Sequence, residues 1–176
     1  MTLWRIFLSA LALVLGASLA YLWLSPAGLK TSPDISVFTI DGEQLALSSL
    51  RGKPLLVTFW ATTCSTCVKE IPHLSDLYRE LSPYGLQIIG IAMYYDPPNR
   101  VLAMRRTHNI PYTIALDIHA DASNAFGNIQ FTPTSFLIGP DGRVAFQKNG
   151  AVNIDRLRRE IVEMLDATRE RTGNPA

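Results

Sequence analysis

Cys64 and Cys67 are the only cysteines in the 176-residue chain, and they stand three positions apart in Cys64-Ser65-Thr66-Cys67. Side chains at i and i+3 of a first helical turn share a face, about 5–6 Å apart at Cβ, and a disulfide needs Cβ atoms about 3.5–4.5 Å apart. A small adjustment therefore opens or closes the pair. A helix N-terminus adds unpaired N–H groups and partial positive charge, and there a thiol pKa falls from ~8.5 into the range ~3.5–7.5. Cys64 receives most of this field and is the expected exposed nucleophile. Cys67, one turn deeper, is the expected resolving thiol. The chemistry is thiol–disulfide exchange: the Cys64 thiolate attacks a partner disulfide, and Cys67 then attacks the mixed disulfide. As a staple the bridge would close almost no loop. Two other readings of the pair stay open. A zinc site needs about four ligands, and His73 is a single nearby addition. An inert buried pair is at odds with a junction between strand and helix.

That junction follows from the flanking pattern. Pro54–Trp60 (PLLVTFW) is a nearly continuous apolar run, the mark of a strand buried on both faces of a sheet. Beyond it the period changes, and Cys67, Ile71, Leu74, Tyr78 and Leu81 recur at helical spacing, predicting a helix over about 64–82 that stops near Ser82-Pro83. Earlier, Val37–Ile40 and Leu45–Leu47 flank Asp41-Gly42 and read as a hairpin. Later, Leu86–Met93 reads as a second buried strand. A helix follows at about 98–108, a strand at Tyr112–Leu116 and a short helix near 121–127. Thr134–Ile138 and Arg143–Gln147 flank Gly139-Pro140-Asp141-Gly142 as an antiparallel hairpin, and a last helix from Asn153 carries Ile154, Leu157, Ile161 and Leu165 on one face. The order implies an α/β fold: a central mixed sheet flanked by helices, with an N-terminal β-hairpin.

The first residues are of another kind. Ile6–Leu24 is an uncharged stretch of 19 residues, enough to cross a bilayer core as a transmembrane helix. Arg5 and the α-amino group precede it and the next charge is Lys30, which places the N-terminus in the cytoplasm and the rest outside. Trp4, Tyr21 and Trp23 stand where aromatic rings favour the lipid–water boundary. The alternative is a cleavable signal peptide, because Ser18-Leu19-Ala20 offers small residues at the required spacing, although a signal core is typically ~7–15 apolar residues. Both readings export the domain. Residues 25–34 (SPAGLKTSPD) read as a linker and 170–176 as a flexible polar tail. The 16 basic side chains include Arg5, so the remainder carries 15, as many as its acidic ones; this balance gives no reason to expect nucleic acid or a polyanionic substrate.

The segment VTFWATTCSTCVKEIPHL resembles the active-site segment of the thioredoxin superfamily, where strand, Phe-Trp, Cys-x-x-Cys and a proline-bearing helix follow in order. Pro72 matches the position of that proline. FTPTSFLIGPDGRV resembles the family's cis-proline loop and hairpin, which implies a cis Thr132-Pro133 bond facing the disulfide. The resemblance spans about residues 34–168, assigning 35–169 to a thioredoxin-like domain. Glu70, three residues past Cys67, together with the anchor, points to the TlpA/ResA-like branch of membrane-anchored thiol:disulfide oxidoreductases. It implies that Glu70 shuttles the proton of Cys67; a solvated helix glutamate is the plainer reading. The chain departs from thioredoxin at Thr58, where a buried Asp would stand. It departs also at Thr63, in place of a tryptophan, and at Ser65-Thr66, in place of Gly-Pro, which leaves the redox poise open.

A cis bond before Pro133 would leave the Thr132 backbone free to pair with a substrate strand, and an ordinary trans turn is the alternative. Thr132, Pro133 and Trp60 are therefore the substrate-side residues, Trp60 also serving with Phe59 as core packing. Tyr94-Tyr95-Asp96-Pro97-Pro98 follows the C-terminal end of a strand, where ligands approach α/β sheets, and is a candidate substrate-side loop. No cofactor or metal is called for.

The resemblance implies an exported reductase, single-pass in the cytoplasmic membrane with its domain on the outer, periplasmic side. It would act on extracytoplasmic proteins with disulfides and be recharged by a membrane electron-donor protein; cytochrome c maturation is a client process of the branch. Two alternatives are weighed. Copper delivery uses Cys-x-x-x-Cys and a distant histidine, for which His108 and His119 are the candidates, but the spacing here is one residue shorter. A peroxiredoxin-type peroxidase places Thr three residues before the attacking cysteine, where this chain has Ala61.

Overall fold

The computed structural model describes residues 13–16, a helical turn, and residues 29–172. Apart from that turn, the 6–24 stretch read as anchor or signal peptide lies outside the described residues, as do part of the linker and the last four residues of the tail. No helix of the described residues is long and apolar enough to cross a membrane.

Seven strands form one sheet in the order β2-β1-β5-β4-β3-β6-β7. β1 (Ser36–Thr39) and β2 (Gln44–Ala46) pair antiparallel, and β1 also pairs antiparallel with β5 (Thr113–Leu116). Gly42, at φ 87°, supplies the left-handed backbone of the turn between the first two. β3 (Leu55–Trp60) and β4 (Gln87–Ala92) run parallel at the centre, and β4 runs parallel to β5. β6 (Thr134–Ile138) returns antiparallel on the other side of β3, followed by β7 (Val144–Asn149). The helices are α1 (Ser65–Leu81), α2 (Pro98–Thr107), α3 (Asp121–Ala125) and α4 (Ile154–Thr172). α4 thus runs three residues into the stretch read as a tail. This is the thioredoxin-like α/β fold, a mixed sheet with flanking helices.

Alternation along the central strands explains their near-continuous apolar sequence. Leu56 and Trp60 of β3 face one side with Ile88 and Ala92 of β4, under α1 and α4 (Leu74, Leu77, Leu157, Ile161). Leu55, Val57 and Phe59 face the other with Ile89 and Ile91, against Phe126 and Phe136. Each face is covered and apolar, so a polar group there is costly to leave without a partner. Thr58 is the polar exception, and its Oγ1 accepts from the Ser135 hydroxyl at 3.0 Å, across the β3–β6 register. A neutral hydroxyl pair therefore occupies the position where thioredoxin carries a buried carboxylate.

Gly90 marks the tightest point of this packing. A Cβ there would lie 3.0 Å from Ile114 Cδ1, 3.2 Å from Trp60 Nε1 and 3.3 Å from Tyr112 Cε2. Overpacking a filled core costs about 1–3 kcal/mol. Gly90→Ala is expected to lower the unfolding free energy by about that amount, read as a lower urea midpoint at an unchanged denaturant slope, and an unshifted midpoint would show that the ring cluster yields freely.

Candidate active site

β3 ends at Trp60, and the turn Ala61–Cys64 closes through a Cys64 N–H donated to the Ala61 carbonyl at 3.0 Å. Cys64 is the N-cap of α1, with extended backbone (φ −84°, ψ 102°). The expected first-turn position is therefore off by one residue: Cys64 stands just outside the helix, and its own sulfur does the capping. Sγ accepts the Cys67 N–H at 3.1 Å, taking up one of the free donors of the helix N-terminus. Cys64 and Cys67 are joined as a disulfide, with Cα atoms 5.2 Å apart. Cys64 is half-buried while Cys67, packed among the core residues beneath α1, is 3% exposed.

The Thr132–Pro133 peptide is cis, and the Thr132 carbonyl lies 3.5 Å from Cys64 Sγ. In the oxidised protein this is a contact, since the sulfur carries no hydrogen; once reduced, the thiol can donate to that oxygen. Pro133 itself is buried and its carbonyl accepts the Gly150 N–H at 2.7 Å, so the loop presents Thr132 to the sulfur through its backbone. Trp60 requires a correction. It is 4% exposed and its indole N–H is buried without a partner, so it cannot offer a surface to a substrate. Its place, at the end of a strand with both faces covered, makes it part of the floor beneath the disulfide.

Glu70 is not a solvated helix residue. It is 6% exposed, on the same face of α1 as Cys67, and its Oε1 accepts the Val152 N–H at 2.7 Å. Burial raises its pKa above the ordinary 4.5, opposed by the Val152 hydrogen bond and by His73 one turn on. Tyr112, buried nearby, is held above its ordinary range by burial and by the Glu70 charge. The Val152 partner comes from the β7–α4 loop, 82 residues along the chain, and no local pattern announces it.

The tract after β4 divides in two. Tyr94 and Tyr95 are exposed and meet edge to face at 5.3 Å. Asp96 between them and the prolines is buried, and its carboxylate accepts both the N–H and the hydroxyl of Thr62 at 2.5 and 2.7 Å. Sequence reasoning placed this loop near a substrate but missed the carboxylate's role; the one available signal was a lone acid among aromatic and proline residues. Phe131, next to Thr132, is 70% exposed. Among the described residues no three of His, Cys, Asp and Glu converge as metal ligands, and His73, His108 and His119 are all exposed. Ala61, where a peroxidase would carry its hydroxyl, is buried.

A raised carboxyl pKa in the folded state fixes the sign of a stability effect. Between the unfolded and folded pKa values the native protein binds more protons than the unfolded chain, so stability falls as pH rises through that window. Below about 4.5 both states are protonated and the loss vanishes. Glu70→Gln, which can still accept from Val152, is expected to gain stability relative to wild type as pH rises from 4.5 towards neutrality. Urea unfolding of the oxidised proteins across that range measures it, and a constant difference would deny Glu70 its raised pKa.

The family model that matches is the AhpC/TSA family, over residues 29–147. Thiol-disulfide oxidoreductase ResA of Bacillus anthracis is 30% identical over 131 residues, 73% of each chain, and that of Bacillus thuringiensis subsp. konkukian is 28% identical over the same share. Among solved structures, a thiol:disulfide interchange protein of the thioredoxin family from Chlorobium tepidum superposes with a TM-score of 0.71 at 28% identity. It covers 80% of this chain and 99% of that one. With a Cys-x-x-Cys disulfide at the helix tip and a thioredoxin-like sheet behind it, the chain belongs to the AhpC/TSA family of the thioredoxin superfamily and is a thiol-disulfide oxidoreductase of the ResA type.

Proposed function

We propose that the protein reduces disulfides of specific exported proteins at the outer face of the cytoplasmic membrane. The observation that carries this is the asymmetry of the pair: Cys64 reaches the surface beside the Thr132 carbonyl, and Cys67 is buried behind it. In the reduced protein the Cys64 thiolate, favoured by the Cys67 N–H and the positive end of α1, attacks one sulfur of a substrate disulfide. One S–S bond forms and one breaks, and the leaving substrate sulfur departs as a thiolate that takes up a proton. Cys67 then loses its proton and attacks Cys64, expelling the second substrate thiolate and leaving the oxidised pair. The substrate gains two electrons and two protons in all.

Glu70 is the group for the Cys67 proton. It sits one turn along the same face, and its raised pKa brings it closer to the working range than a free glutamate. The Thr132 backbone supplies the docking edge for the substrate strand, with the exposed Phe131 next to it in the chain. Residues 6–24 tether the domain, and a membrane electron-donor protein returns electrons to the Cys64–Cys67 disulfide. Cytochrome c maturation is the client process suggested by the ResA-like branch.

Two measurements test this reading. Cys64→Ser is expected to lower insulin disulfide reduction to the uncatalysed rate, whereas Cys67→Ser should accumulate mixed disulfides through Cys64 that dithiothreitol releases; full turnover by either variant would end the proposal. For the tether, the full-length chain expressed in a Gram-negative host should remain in the membrane pellet after carbonate extraction. A soluble periplasmic form beginning after Ala20 would identify a signal peptide instead.

A further inference from the structure

Asp96 is flanked by exposed residues, Tyr94 and Tyr95 on one side and Pro97 on the other, yet is itself only 5% exposed. Both of its carboxylate oxygens are taken by one residue: Oδ2 accepts the Thr62 N–H at 2.5 Å and Oδ1 the Thr62 hydroxyl at 2.7 Å. Among the described residues no cation pairs with it at salt-bridge distance. A buried carboxylate without a cation is costly, and charge-assisted hydrogen bonds are what offset the cost. The loop that carries it is stitched to the same strand end, because Asp96 N–H donates to the Met93 carbonyl at 2.9 Å and Met93 N–H to the Trp60 carbonyl at 3.0 Å.

Thr62 is the second residue of the turn that delivers Cys64. Its N–H and hydroxyl are both fixed, so its backbone direction and its rotamer are set together. The turn then closes at Cys64 N–H to Ala61 carbonyl, leaving Sγ 3.1 Å from the Cys67 N–H and 3.5 Å from the Thr132 carbonyl. From this geometry we infer that Asp96 is a positioning residue of the redox centre: by clamping Thr62 it sets the Ala61–Cys64 turn and holds the Cys64 sulfur at the cap of α1. The inference rests on the reading of Cys64 as the activated nucleophile.

Position and charge make opposite predictions. A negative charge close to Cys64 opposes the thiolate, so removing the charge alone would lower the thiol pKa. Loss of the clamp moves the sulfur off the helix cap and raises it. The pH profile of Cys64 alkylation by iodoacetamide in the reduced full-length chain, followed by peptide mass, separates the two. Asp96→Ala is expected to move the profile midpoint up by about one unit, a roughly tenfold loss of thiolate at a pH below both midpoints. Asp96→Asn can accept the N–H through Oδ1 and donate to the hydroxyl through Nδ2, so it keeps the clamp while removing the charge, and its midpoint should fall at or below that of wild type. An Asp96→Ala profile superimposed on wild type overturns the inference, and so does a downward shift in both variants. Should Asp96→Ala fail to fold, Thr62→Val, which removes the hydroxyl bond alone, must shift the midpoint upward by a smaller amount; an unmoved midpoint then overturns it. A wild-type Cys64 titrating like an ordinary thiol, at about 8.5, overturns the nucleophile reading and the inference with it. An activated wild type with an unmoved Asp96→Ala overturns the inference alone.

Discussion

The hydrogen bond from Cys67 N–H to Cys64 Sγ is the contact around which the site is arranged. It requires Cys64 to leave the helix and stand in extended backbone, so that its side chain turns back over the first free donors of α1. A sulfur in that place is partly in solvent and beside the Thr132 carbonyl, while its partner one turn in is sealed by the core. The same short segment thus presents one thiol and hides the other. Exchange chemistry needs that difference, because a pair with equal access would have no defined order of attack.

Everything that holds this contact comes from elsewhere in the chain. β3 aims the turn, and it is held on one side by β4 in parallel and on the other by β6 in antiparallel register. β6 begins immediately after the cis Thr132–Pro133 peptide, so the strand that pairs with β3 also carries the loop that faces its disulfide. Phe59, Phe126 and Phe136 fill one side of the sheet with ring centroids 4.9–6.2 Å apart, and α1 and α4 cover the other. A strand with both faces buried gives a turn at its end little freedom, which suits a site whose distances must hold while a covalent bond forms and breaks.

Two buried acids, Glu70 and Asp96, are tied to the elements around the redox turn. Beneath α1, Glu70 is desolvated and its pKa lifted, with a single backbone N–H from Val152 to stabilise its charge. Across the turn, Asp96 receives two bonds from Thr62. Between them the centre of the sheet is neutral, because Thr58 and Ser135 satisfy each other. A carboxylate at position 58 would add a second buried acid beneath the same cysteines. With a threonine there, Glu70 is the acid buried on the cysteine face of α1.

The amino-acid sequence by itself determined the element types, because hydrophobic periodicity is local: an apolar run for β3, a 3.6-residue repeat for α1, Gly-rich turns for the hairpins. It determined the cysteine chemistry too, since spacing and the strand-to-helix handover are visible in eighteen consecutive residues. What it did not decide are the relations between distant segments. That Trp60 is floor and not surface depends on α1 and on the ring cluster at Gly90. That Glu70 is buried depends on a loop 82 residues away, and that Asp96 faces inward depends on a residue 34 positions earlier. Burial and hydrogen-bond partners across such separations arise only when the sheet has formed, because a side chain's surroundings are fixed by which strands become neighbours and not by its own place in the chain.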